Sequence, residues 1–123
     1  MALNFRITEE YCILALELER LGYAWQPRAG DWMIDRDDSS IGMLTVPPRQ
    51  PERICALNVH LPTYLQVNQL LDAKRVTLKS GAGHVEFISS GGKSLLVAAA
   101  AEFEADQGTF ALRALVACYR ESS

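Results

Sequence analysis

Apolar residues recur along this chain in two rhythms, one helical and one alternating. Between Thr8 and Leu21 the positions Tyr11, Leu14, Leu18 and Leu21 fall three and four apart, with Glu9, Glu10, Glu17, Glu19 and Arg20 largely on the other side. That spacing predicts an amphipathic helix. Thr8 is placed to cap its first turn, Ile7 and Cys12 to staple it, and Gly22 to end it in a left-handed conformation. A second helix is predicted over 63–73, where Thr63-Tyr64-Leu65-Gln66 has capping-box spacing and Tyr64, Val67, Leu70 and Leu71 share a face. A third, from Asp106 or Thr109 to about Arg120, is apolar at Leu112, Leu115, Val116 and Tyr119.

The alternating rhythm predicts strands. Tyr23–Gln26 and Asp31–Asp35 flank Pro27-Arg28-Ala29-Gly30, and pairing Gln26 with Asp31 sets Trp25 opposite Trp32 and Tyr23 opposite Ile34. Agreement between turn chemistry and register points to a hairpin. Ile41–Val46 then reads as a strand, and the prolines at 47, 48 and 51 as a stiff connector. Ile54–His60 alternates Cys55, Leu57 and Val59 to one side and reads as another strand. Arg75–Lys79 and His84–Ser89 make a second hairpin around 80–83, with Leu78 opposite Val85 and Val76 opposite Phe87. Ser90-Gly91-Gly92-Lys93 turns the chain into a last strand from Leu95 through Phe103 and Ala105.

The sum is an α+β chain with three helices packed on a mainly antiparallel sheet of about seven short strands. An offset of 53 lays the first helix on the second, Ala29-Gly30 on Ala82-Gly83, and Trp32 and Ile34 on Val85 and Phe87. It suggests an internal α-β-β-β duplication, with two units related by an approximate twofold.

Composition narrows the picture. The 123 residues suit a single globular domain over 1–123, and 49% hydrophobic content suits a buried core. A net charge of −3, with no basic run longer than Lys74-Arg75, argues against nucleic acid as a partner. No stretch approaches the roughly 20 apolar residues of a membrane span. The opening residues lack the basic and apolar regions of a secretory leader, so the expected location is cytoplasmic. Cys12, Cys55 and Cys118 are odd in number and match no zinc or redox spacing; they read as small hydrophobes in a reducing compartment.

Chemistry is sparse in the pattern. Gly92-Lys93-Ser94 ends like a phosphate-binding loop, but the required earlier glycine is Phe87. Gly81-Ala82-Gly83 begins like a dinucleotide fingerprint, but Glu86 stands at the third glycine. Asp35-Arg36-Asp37-Asp38-Ser39 opens like a calcium loop, but Ser40 and Val46 stand where glycine and glutamate are needed. His60 and His84 fall on predicted polar strand faces. Cys55 with either histidine could form a thiol–base pair only if the fold brought them together. No catalytic, cofactor-binding or metal-binding residue is assigned, and no cofactor is expected.

Tyr23, Trp25 and Trp32 stand out, with Arg28 in the turn between the tryptophans. Aromatic residues with arginine are what protein contacts favour, so Trp25, Arg28 and Trp32 form the candidate contact region. The leading expectation is a non-catalytic protein-interaction or structural module, with a protein partner or a homodimer. The alternative is a small-ligand-binding protein or modest enzyme using a sheet–helix cleft, with Cys55, His60 or His84 in it.

Gly22-Tyr23-Ala24-Trp25 after a helix, and Glu102-Phe103-Glu104-Ala105-Asp106 running into Ala111-Leu112-Arg113-Ala114-Leu115, resemble small uncharacterised bacterial and phage α-β-sandwich domains. The resemblance implies an order of helix, aromatic hairpin, strand and terminal helix. It implies no activity and no site residues.

Overall fold

A computed structural model describes residues 7–122. The opening residues 1–6, on which the expected absence of a leader partly rests, lie outside the described residues. Helix α1 (Glu9–Arg20) begins where Thr8 Oγ1 accepts from Tyr11 N–H at 3.1 Å. It ends where Gly22 takes a φ of 111°. Both ends were written locally, in a hydroxyl and in a residue without Cβ. Helix α3 (Tyr64–Ala73) carries the full capping box: Gln66 N–H donates to Thr63 Oγ1, and Thr63 N–H donates to Gln66 Oε1.

Strands β1 (Trp32–Asp35), β2 (Ile41–Met43) and β3 (Asn58–Leu61) form one antiparallel sheet in the order β2-β1-β3. Strands β4 (Thr77–Gly81), β5 (His84–Ile88) and β6 (Ser94–Ala99) form another, in the order β4-β5-β6. Helix α4 (Ala100–Ala105) and the long α5 (Gln107–Ser122) close the chain, after the short α2 (Pro51–Leu57) in its middle. Helix α5 packs against α1, α3 and β6, which explains why Ala111, Leu112, Ala114, Leu115 and Val116 are all buried. Val85, Phe87 and Phe103 join them in the main core, while Ala15, Val59 and Leu61 form a smaller one under the first sheet.

Several expectations are overturned. The described residues hold five helices and two three-stranded sheets, not three helices on one sheet of seven strands. Tyr23–Gln26 is not a strand, because β1 has no edge left for it. Trp32 pairs with Met43 on one side and Leu61 on the other, so Trp25 is not its cross-strand partner. The stretch from Ile54 is helical up to Leu57, and only then extended. Proline at the first helical position costs no hydrogen bond and presets φ, so Pro51 starts α2 instead of merely stiffening a connector. Arg36 covers the far end of α2, donating to the carbonyls of Cys55, Ala56 and Asn58. Beyond Ala99 the alanine-rich chain follows its helical propensity into α4.

The second hairpin forms with its register moved by two residues: Leu78 faces Phe87, and the turn tightens around Ala82-Gly83. A shift of two keeps every side chain on its face, so Val85 and Phe87 remain in the core. The expected duplication fails in the pairing. Helix and three strands do recur in chain order, but the unit's first strand is central in one sheet and its second strand is central in the other.

Candidate functional site

The irregular segment between α1 and β1 lies against the first turns of α3, and a cleft of about 470 Å³ runs between them. Tyr23, Trp25 and Arg28 line it from the segment, and Gln66, Gln69 and Leu70 from the helix. Asp31 and His60 also line it, although they are only 4% and 5% exposed. Pro27-Arg28-Ala29-Gly30 makes the turn that brings Asp31 back beneath Trp25, with Gly30 at a φ of 95°. His60 comes from β3, where its pairing with Met33 sets it one position beyond Val59 on the strand.

Asp31 gathers the site. Its Oδ2 accepts from Trp25 Nε1 and from Arg28 N–H, both at 3.0 Å, and its Oδ1 accepts from Gln66 Nε2 at 2.8 Å. Burial alone would favour the neutral acid, but these bonds from Trp25, Gln66 and the Arg28 backbone outweigh it. They hold the Asp31 carboxyl below its usual range, with a further contribution from His60. Asp31 is therefore a carboxylate at neutral pH, and among the described residues it has no lysine or arginine ion-pair partner.

His60 is neutral beside it. Burial drives its pKa down to about 4 against the opposing pull of the Asp31 charge and of the nearby Gln66 side chain, with Arg28 adding a smaller push downward. The imidazole lies flat on Trp25, with centroids 4.9 Å apart and planes 3° from parallel, and it also stacks with Tyr23. Its Nδ1 is 2.9 Å from the Tyr23 hydroxyl. Burial, then the Asp31 charge, then Tyr119 push that phenol up to about 12, despite Arg28, so it stays protonated at neutral pH. The Asp31 carboxylate, 4.0 Å from Nε2, favours the ring proton on that nitrogen, which leaves Nδ1 to accept from the Tyr23 hydroxyl. That distance is too long for a hydrogen bond, and Nε2 is buried with no hydrogen-bond partner among the described residues.

The fold separates the expected site residues. Trp25 and Arg28 both reach the cleft, whereas the half-buried Trp32 packs against both core clusters from β1. His60 is buried, contrary to its expected place on a polar strand face, while His84 is exposed at the start of β5. Cys55 donates to the Trp25 carbonyl at 3.4 Å, and its thiol is pushed up by burial, then Glu19 and Glu52 with Arg36 opposing. It is no ready thiolate, and His60 stacks on the Trp25 ring instead of meeting it. Asp31 and Gln66 are the members that sequence reasoning missed as functional groups, while Tyr23 stood out among the aromatics but was left outside the expected contact region. Gln66 had one signal, its place in the capping box, but nothing in the pattern announced its second bond to Asp31. Among the described residues no group of three or more metal-ligating side chains forms.

No family, curated protein or solved structure among those compared matches the chain. No described helix is long and apolar enough to cross a membrane.

Proposed function

We propose that this protein binds a small molecule in the cleft between the Tyr23–Arg28 segment and α3. The observation that carries this reading is the pair of buried, adjoining groups at its base, one ionised and one with an unsatisfied ring nitrogen. A polar network that serves only to hold a fold normally satisfies each buried member, because a bare polar atom costs about 1–3 kcal/mol. Here His60 Nε2 is left without a hydrogen bond among the described residues. The cleft volume also lies within the roughly 300–1,000 Å³ typical of small-molecule sites. Binding comes before catalysis in this reading, since among the described residues no serine hydroxyl or cysteine thiol hydrogen-bonds either member of the pair.

Ligand-detected NMR with a fragment library tests it. Fragments should bind the native protein and be excluded by Gln69→Trp, which fills the cleft from an exposed helical position. Fragments indifferent to that substitution contradict the reading.

A protein-contact role finds its own support at another place. The bonds from Asp35 N–H to Ser40 and from Leu44 N–H to Asp31 turn the backbone groups of Ile41 and Met43 to the outer edge of β2. Both side chains are also nearly half exposed. An open apolar edge of this kind is a template for strand addition. Sedimentation of the native chain and of Ile41→Lys checks it: association that the lysine abolishes supports a contact at β2.

A further inference from the structure

We propose that the cleft takes a small hydroxylated anion, with one hydroxyl seated between Asp31 and His60 and the anionic group on Arg28. This rests on the small-ligand reading above and names the chemistry of its occupant.

The base of the cleft presents a donor and an acceptor side by side. His60 Nε2–H and Asp31 Oδ1 are 4.0 Å apart, so one oxygen can lie within about 2.8 Å of each, a normal hydrogen-bond length. Asp31 Oδ1 accepts one bond already and has a second lone pair free. The group that fits must accept from the imidazole and donate to the carboxylate. A hydroxyl does both. A carboxylate or phosphate placed there would meet the Asp31 charge, and an ammonium would meet the imidazole N–H with no lone pair to offer.

Nε2 has almost no surface open to water, so the hydroxyl must displace something. Gln66 is the side chain placed to yield: it is half-buried, and its amide already occupies Asp31 Oδ1 at 2.8 Å. One turn along α3, Gln69 lines the same cleft with no intramolecular hydrogen bond among the described residues, and its amide offers a donor and an acceptor to further hydroxyls.

Charge is selected at the rim. Arg28 is pinned through its backbone N–H to Asp31 Oδ2, while its guanidinium is exposed and makes no ion pair or hydrogen bond among the described residues. The main chain of the turn is thus fixed and the fork is free. A planar guanidinium held this way is suited to a carboxylate or a phosphate.

Isothermal titration of the full chain with four probes tests the inference: gluconate, glucose 6-phosphate, myo-inositol and hexanoate. Gluconate or glucose 6-phosphate should bind saturably, and which of the two is tighter tells a carboxylate from a phosphate occupant. Uncharged inositol and hydroxyl-free hexanoate should each bind at least about tenfold more weakly, as should the better probe to Arg28→Gln, in line with a lost charge-assisted bond. Equal binding of inositol or of hexanoate overturns the assignment, and so does indifference to Arg28→Gln. If all four probes fail while library fragments sensitive to Gln69→Trp bind, the ligand class is wrong and the cleft reading stands. If those fragments fail as well, both are wrong.

Discussion

His60 Nε2 and Asp31 Oδ1 face each other across 4.0 Å, near enough for the charge to be felt and too far for a hydrogen bond. Asp31 comes from the turn before β1 and His60 from β3, and Trp25 is common to both. Trp25, Arg28 and Gln66 fix the carboxylate, while Tyr23 and the Trp25 ring fix the imidazole.

Acid should expose that arrangement. The folded state holds His60 near 4 against an ordinary 6.5, so as pH falls the unfolded chain takes up the proton first. The stabilisation is complete above 6.5 and is lost between 6.5 and about 4, as much as about 3 kcal/mol in all. Asp31, held below its usual range, extends the loss in the same direction at lower pH. Urea denaturation at a series of pH values should show this slope, and His60→Gln should flatten its upper part.

Removing the phenol isolates one contact. Tyr23→Phe keeps the ring that stacks with His60 but deprives Nδ1 of its donor, which should cost about 1–2 kcal/mol. Long-range nitrogen NMR of the imidazole should find the proton on Nε2 in the native protein and a mixture of tautomers in the variant.

Gln66 links helix capping to the cleft. Thr63→Ala removes the hydroxyl that accepts from Gln66 N–H, and should cost about 1 kcal/mol. Because the Gln66 amide reaches both Thr63 N–H and Asp31, Thr63→Ala and Asp31→Asn should be non-additive in a double-mutant cycle. Strict additivity would mean that the cap and the site are independent.

Arg36 holds α2 by its carbonyl end. Replacement by lysine keeps the charge near Glu19 but loses the fork that spans three carbonyls. Hydrogen exchange over residues 51–57 should accelerate in Arg36→Lys, with α1 and α5 unchanged.

What the chain discloses about itself follows the range of the interactions. Thr8, Gly22 and the Thr63–Gln66 box act within four residues, so the ends of α1 and α3 are legible as written. The inward face of β5 survives a register error because strand periodicity is two. Trp25 was misplaced because a plausible turn cannot reveal that both edges of β1 are taken by strands arriving later in the chain. The site is less legible still. Asp31 looks like an ordinary turn residue after glycine, and His60 lies 29 positions beyond it; only the sheet brings them together. Arg28 and Trp25 drew notice for their residue types, but not for the carboxylate that holds them.

The most direct test is the nitrogen resonance of His60 Nε2, followed while gluconate is added to the native protein at neutral pH. Occupation of the cleft predicts a saturable shift of that signal, with the proton kept on Nε2 and with shifts at Arg28 and Gln69 following the same curve. A signal that stays fixed while gluconate binding is registered elsewhere on the folded protein would contradict the placement of the ligand at the Asp31–His60 pair.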